Sequence, residues 1–135
     1  MSNTSYALTG FVAWTFFLLV LMEVIRTYLV LTGAVAANGF TPDNAGLAPF
    51  MQRLARAHAN CIEGIPLFGG LLAIAIMTSR ESVTESLALW FLAARIAQSV
   101  IHLISKSPAA VSLRFTAFAI QMVIAVYWCW KLLVD

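Results

Sequence analysis

Residues 53–68 read RLARAHANCIEGIPLF, and the polar positions in this stretch decide how the chain can fold. Four of them are spaced three, four and three residues apart, which places them on one face of an α-helix. They are Arg53, Arg56, Asn60 and Glu63. The stretch runs directly into LFGGLLAIAIM, residues 67–77, which is as apolar as a membrane-spanning segment. Because charged groups that face lipid are costly, the polar face must lie against protein, water or a ligand.

The composition is typical of an integral membrane protein. Hydrophobic residues make up 61% of the 135 residues and charged residues 10%, whereas soluble domains have about 45–50% and about 25%. The mean hydropathy is +0.89. Four spans of roughly 20 residues each use nearly the whole chain, so residues 1–135 are expected to form a single membrane domain. The net charge is only +2, so nucleic acid is not an expected partner.

The apolar segments and the turn signals between them predict an all-α protein, a bundle of four transmembrane helices. The predicted helices cover about 6–35, 47–77, 87–105 and 109–132. Pro66 is expected to kink the second helix because it lacks a backbone donor. Cys61 and Cys129 both lie in apolar sequence and are expected to be core residues. No metal site is predicted.

Polar residues also interrupt the apolar sequence of the first and third helices. Glu23 and Arg26 are three residues apart, and they predict a structural ion pair, with a ligand site as the alternative. Three polar residues of the third helix repeat the spacing of residues 56–63. They are Arg95, Gln98 and His102. We expect the second and third helices to face each other or a shared cavity, because each polar face would otherwise be stranded in hydrocarbon.

The basic residues predict the orientation in the membrane. Four of them lie near the connections between helices 1 and 2 and between helices 3 and 4. They are Arg53, Arg56, Lys106 and Arg114. The opposite side carries Arg80 and Lys131 among acidic residues. By the positive-inside rule the first side is cytoplasmic, both termini are outside, and the polar faces open toward the cytoplasm.

The motif RAHANCIEGIPLF, residues 56–68, resembles a family signature. The membrane-associated proteins in eicosanoid and glutathione metabolism, the MAPEG family, share R-A-x-x-N-x-x-E-x-x-P-x-F on their second helix. Four spans, the pair Ala94-Arg95 and an arginine early in the fourth helix agree with this resemblance. The resemblance implies a homotrimer, with glutathione as co-substrate bound between adjacent subunits near the cytoplasmic face. The length of the polar faces favours the same assembly, since one small bundle cannot cover them.

The resemblance also implies roles for single residues. Those in contact with glutathione would be Arg53, Arg56, Asn60, Glu63, Gln98 and His102. Arg95 would be the buried partner of Glu63 or of another carboxylate. Arg114 would hold the glutathione thiolate, and the alternative is that it extends to the cytoplasmic headgroups. Independently of the resemblance, arginines, an amide and a carboxylate complement the two carboxylates and one ammonium of glutathione.

Two functions are compatible with these residues. The first is a glutathione transferase that acts on lipophilic electrophiles arriving from the membrane lipid, with reduction of lipid hydroperoxides as a second activity. The alternative is a non-catalytic scaffold that binds a lipid or a protein partner. Active members of the family carry an aromatic residue or His and then Tyr where this chain has Gln98 and His102, and Ser where it has Phe115. These departures favour the scaffold. The motif as a whole favours the transferase, which is the function that we predict.

Overall fold

A computed structural model describes all 135 residues, and it contains helices and no β-strand. The four main helices are α1 (Asn3–Leu31), α2 (Pro49–Met77), α3 (Ala88–Ile104) and α4 (Pro108–Val134). Three of them, α1, α2 and α4, are long and apolar enough to cross a membrane, and α3 is a shorter apolar helix. The predicted all-helical architecture is therefore confirmed.

The ends of α1 differ most from the prediction. The helix begins at Asn3 because the hydroxyl of Ser2 accepts a hydrogen bond from the Ser5 backbone N–H at 3.1 Å. It ends at Leu31 rather than near residue 35. Gly33 has a φ of 76°, a left-handed conformation that stops a helix.

At Pro66, the site of the predicted kink, α2 contains a π-helical turn, Ile65–Gly69. A proline in a helix removes one N–H donor and crowds the preceding turn, and a wider turn accommodates its ring. The Gly70 N–H closes this turn by bonding to the Ile65 carbonyl. The turn lies immediately after the polar segment of α2, so it separates that segment from the apolar Gly70–Met77.

Helix α3 lies at the centre of the bundle and packs against the other three helices. An aromatic cluster fills the core, with ring centroids of Phe11, Phe68 and Trp128 at 5.9, 5.2 and 5.7 Å from that of Phe91. Helix α4 packs along α3 but meets α2 mainly through residues 70–77. The first half of α2 is therefore separated from α4, and α3 forms the base of the gap between them.

The α2–α3 connection binds both ends of the chain. The Glu85 carboxylate accepts hydrogen bonds from the backbone N–H groups of Asn3 and Thr4 at 2.8 and 3.2 Å. Arg80 donates to the carbonyl groups of Leu132 and Lys131 at 2.6 and 2.9 Å. An anion at a helix N-terminus and a cation at a C-terminus satisfy unpaired backbone groups and match the helix dipole. Both termini consequently lie at the same end of the bundle.

This arrangement predicts an acid-sensitive contribution of Glu85 to stability. Its pKa lies below the usual value, chiefly because the Asn3 N–H donates to the ionised carboxylate. Such a contribution is fully present above the unfolded-state pKa of about 4.3 and is lost as the pH falls through the lower folded-state pKa. We expect Glu85→Gln to melt a few degrees below the wild type at neutral pH and to lose less stability than the wild type between about pH 5 and pH 3.

Thermal unfolding of the detergent-solubilised protein over this pH range measures the difference. The control is Asp135→Asn, which removes an exposed carboxylate paired only with Lys131, and it should leave the melting temperature at neutral pH almost unchanged. The same acid response in Glu85→Gln and in the wild type would contradict the assignment.

Candidate functional site

A cleft of about 800 Å³ lies between α2 and α4, with α3 at its base. Its polar lining residues are Asn60, Glu63, Arg95, Gln98 and Arg114. Its apolar wall comes mainly from α4, through Val111, Phe115, Phe118, Met122, Ala125 and Val126. The α4 residues that line the cleft from Phe118 onward are apolar, and they lead away from Arg114 along the helix. The cleft is thus amphipathic, with charged and amide side chains toward one end and apolar side chains toward the other.

The structure divides the predicted glutathione residues into two groups. Asn60, Glu63 and Gln98 line the cleft together with Arg114, whereas the other three predicted residues do not line it. These three are Arg53, Arg56 and His102. The Arg53 Nε donates to the Leu103 carbonyl at 2.9 Å, which gives a carbonyl group at the C-terminal end of α3 a hydrogen-bond partner.

A basic cluster, defined as Arg53, Arg56, Lys106 and Arg114, lies around the buried His102. Arg56 and Lys106 are exposed and Arg114 is half-buried. These four basic residues, from which we predicted the orientation in the membrane, lie together at one end of the bundle. Arg114 is the member that also lines the cleft.

Arg95 does not form the ion pair that we expected. Its side chain is 1% exposed, and Glu63 is exposed and makes no salt bridge with it. The guanidinium instead lies over the rings of Phe11 and Phe68, at 5.2 and 5.3 Å from their centroids. One nitrogen is 3.4 Å from the Asn60 carbonyl, and Nε has no partner. Within this chain aromatic faces, rather than the predicted carboxylate, surround the buried cation.

Sequence reasoning missed Gln121, a fully buried residue in the apolar part of α4. Its Nε2 donates to the Gln98 Oε1 at 2.9 Å and to the Ala117 carbonyl at 3.1 Å. A lone amide in the run AFAIQMVIAV was the available signal, since a polar side chain inside a membrane helix needs a partner. The two glutamines form a polar contact between α3 and α4 beside the cleft.

Glu23 and Arg26 lie outside the cleft. The Arg26 Nη1 is 3.1 Å from the Glu23 Oε1, which is the geometry of the predicted structural ion pair. Arg26 also donates from Nε to the Asn44 Oδ1 at 3.0 Å and from Nη2 to the Thr41 carbonyl at 3.1 Å. Asn44 is buried and donates in turn to the Met51 carbonyl at 2.7 Å. Arg26 therefore anchors the α1–α2 loop.

The two cysteines have different environments. Cys61 is buried, with Sγ 3.5 Å from the Ser99 hydroxyl, as expected for a core residue. Cys129 is exposed and lines the cleft, so its prediction as a core residue was wrong. The reason is that α4 turns this face toward the gap left by α2 and not toward α3.

Few charged side chains lack a partner in this chain. Hydrogen bonds or ion pairs engage most of them, including those at the helix ends. The ones without either kind of contact are Arg56, Glu63, Lys106 and Arg114. Because Glu63 and Arg114 both line the cleft, the cleft holds one anion and one cation that are not committed to the fold.

A family model described as MAPEG family matches residues 4–134. The chain belongs to the MAPEG family. Comparison with curated proteins and with solved structures gave no match. Family membership and the three helices long enough to cross a membrane identify an integral membrane protein of the type found in glutathione and eicosanoid metabolism.

The position of Arg95 leads to a prediction about Gly64. A Cβ at residue 64 would lie 2.9 Å from an Arg95 nitrogen and 3.3 Å from the Phe11 ring. We expect Gly64→Ala to displace the guanidinium and to destabilise the protein by about 1–3 kcal/mol, the usual range for overpacking a core. Thermal or denaturant unfolding in detergent measures this effect.

Gly70→Ala is the matched control, because nothing lies within 4 Å of a Cβ at residue 70. This substitution should leave stability unchanged or raise it slightly, since alanine restricts the unfolded chain. Equal effects of the two substitutions would show that Arg95 does not pack against Gly64 as described.

Proposed function

We propose that this protein is a glutathione-dependent membrane transferase, which joins the glutathione thiol to lipophilic electrophiles in the cleft between α2 and α4. The observation that carries this proposal is that Arg114 and Glu63, two charged groups without partners, line the same cleft as an apolar wall. A site for joining a charged tripeptide to an apolar molecule needs both kinds of surface.

The polar end of the cleft suits the tripeptide. The Glu63 carboxylate is exposed and unpaired, so it can accept the ammonium group of glutathione. Asn60 and Gln98 offer amide groups for hydrogen bonds to the peptide units. Arg56 is exposed and unpaired beyond the cleft lining, where it can bind a carboxylate.

Arg114 is the group that we assign to thiolate activation. A free thiol has a pKa of about 8.5, and each unit by which a site lowers it requires about 1.4 kcal/mol of preferential interaction with the anion. A half-buried guanidinium in an apolar wall can supply this interaction, because the low local polarity strengthens it. The bound thiol releases its proton to water, and the thiolate sulfur then attacks the electrophilic carbon. The S–C bond forms as the bond to the leaving group breaks, and the leaving group keeps the electron pair.

The apolar wall suits the second substrate. Phe115, Met122 and Val126 are exposed in the chain and line the cleft on the α4 side. A lipophilic electrophile dissolved in the bilayer can enter along this wall without crossing water. Its reactive carbon would approach Arg114, where the sulfur is held.

The proposal includes a homotrimer in which a neighbouring subunit covers the cleft, with the polar end on the cytoplasmic side and both termini outside. Two features support the assembly. The cleft is open on one side, and the buried Arg95 has no counter-ion within its own chain. The position of the basic cluster supports the orientation.

A non-catalytic scaffold that binds a lipid is the second candidate. The position of His102 favours this candidate, because His102 is buried outside the cleft lining and does not reach a bound sulfur. Arg114 is then left to act on the thiol without a second group. The two candidates differ in whether a bound thiol ionises.

The test is a calorimetric titration of the detergent-solubilised protein with glutathione, followed by an ultraviolet difference spectrum for bound thiolate. We expect saturable binding and a thiolate band at neutral pH in the wild type. In Arg114→Ala the band and the conjugating activity should be lost, and the pKa of the bound thiol should return toward about 8.5. Affinity at low pH should change little, because Arg114 acts on the ionised form.

Arg114→Lys should restore part of the band, since a point charge is sufficient for one sulfur atom. Lys106→Ala is the matched control, because Lys106 belongs to the basic cluster but does not line the cleft. Glutathione binding without a thiolate band in the wild type would favour the scaffold. Loss of affinity in Arg114→Ala by the same factor at every pH would make Arg114 a carboxylate-binding residue instead.

A further inference from the structure

The Gln98–Gln121 contact has a definite polarity. The Gln121 Nε2 carries two hydrogens, and the Ala117 carbonyl and the Gln98 Oε1 accept them. Turning the Gln121 amide over would place its oxygen against the Ala117 carbonyl, so that two acceptors would face each other. The Ala117 carbonyl therefore fixes the Gln121 amide, and Gln121 fixes the Gln98 oxygen toward α4.

The Gln98 nitrogen consequently points away from α4. It has no hydrogen-bond partner in the chain, and Gln98 lines the cleft while Gln121 does not. The two N–H groups of Gln98 are thus free donors at the base of the cleft, on the helix that also places Arg95 there. In addition, the Gln121 Oε1 is buried without any partner, so the pair is not arranged to satisfy every one of its own polar atoms.

We infer that Gln121 is a positioning residue, which holds the Gln98 amide so that its N–H groups donate to an acceptor oxygen of glutathione. This inference rests on the proposed function for the identity of the ligand. Gln98 makes the contact, and Gln121 acts only through Gln98. A carbonyl or carboxylate oxygen of the tripeptide is the complementary group, because the fixed amide offers donors to the cleft and no acceptor.

The experiment is a double-mutant cycle on glutathione affinity, measured by calorimetry with the full-length protein in detergent. Gln98→Leu should weaken binding about five- to twentyfold by removing the donors. Gln121→Leu should weaken binding about three- to tenfold, because the Gln98 amide is free to turn its oxygen toward the ligand. In the double variant the substitution at 121 should add nothing to the loss caused by Gln98→Leu.

Gln98→Glu tests the polarity directly. A carboxylate at residue 98 can still accept from the Gln121 Nε2, so the contact between α3 and α4 is kept, but the donors are lost. Binding should be at least as weak as in Gln98→Leu. Gln52→Leu is the control, since Gln52 is a half-buried amide that bonds to the Leu47 carbonyl and does not line the cleft. It should leave affinity unchanged.

Three results would overturn the inference. They are unchanged affinity in Gln121→Leu, losses from Gln98→Leu and Gln121→Leu that multiply in the double variant, and wild-type affinity in Gln98→Glu. Thermal unfolding of each variant checks folding, and Gln121→Met replaces Gln121→Leu if the latter does not fold. If the wild type fails to bind glutathione, both this inference and the proposed function fail, whereas any of the three results with a wild type that binds rejects the inference alone.

Discussion

The buried charge of Arg95 determines how the residues around it pack. The Arg95 cation is almost fully buried in the bundle and, in this chain, has no carboxylate to compensate it. Phe11 and Phe68 provide ring faces to the guanidinium. Gly64 leaves room for it against α2, and the π-helical turn that follows carries Phe68. The aromatic core, the small residue and the irregular turn are thus parts of one solution to the same electrostatic problem.

Most of the remaining charged residues close helix ends, hold a loop or pair with a neighbouring side chain, and the others have no partner. Arg53, Arg80 and Glu85 bind unpaired backbone groups, and Arg26 holds the α1–α2 loop. Helix ends inside a membrane protein need such partners, since unsatisfied backbone groups are costly in an apolar environment. The charged groups left over are concentrated at and near the cleft. This separation between charges that stabilise the fold and charges that do not is the physical basis for assigning a ligand to the cleft.

The cleft itself arises from how α4 packs. Because α4 lies along α3 and meets α2 mainly beyond the π-helical turn, α4 does not cover the side of the polar segment of α2 that faces the cleft. Its exposed residues, such as Glu63, then share a cavity with an apolar wall of α4. The same packing exposes Cys129 and places Gln121 where it fixes the orientation of the Gln98 amide.

Hydropathy, proline chemistry and helical spacing are local properties, so the membrane class, the four helices, the site of the irregularity at Pro66 and the family motif could be predicted from the sequence. The sequence also grouped Asn60, Glu63, Gln98 and Arg114 with Arg53, Arg56 and His102 as one site, and it did not separate the residues that line the cleft from those that do not. The contacts of each polar residue, by contrast, depend on how the helices pack. Arg53 bonds to a helix end, Arg95 packs against two aromatic rings and Gln98 bonds to Gln121. Such contacts depend on how the helices are offset and rotated against one another, which the sequence of one helix does not specify.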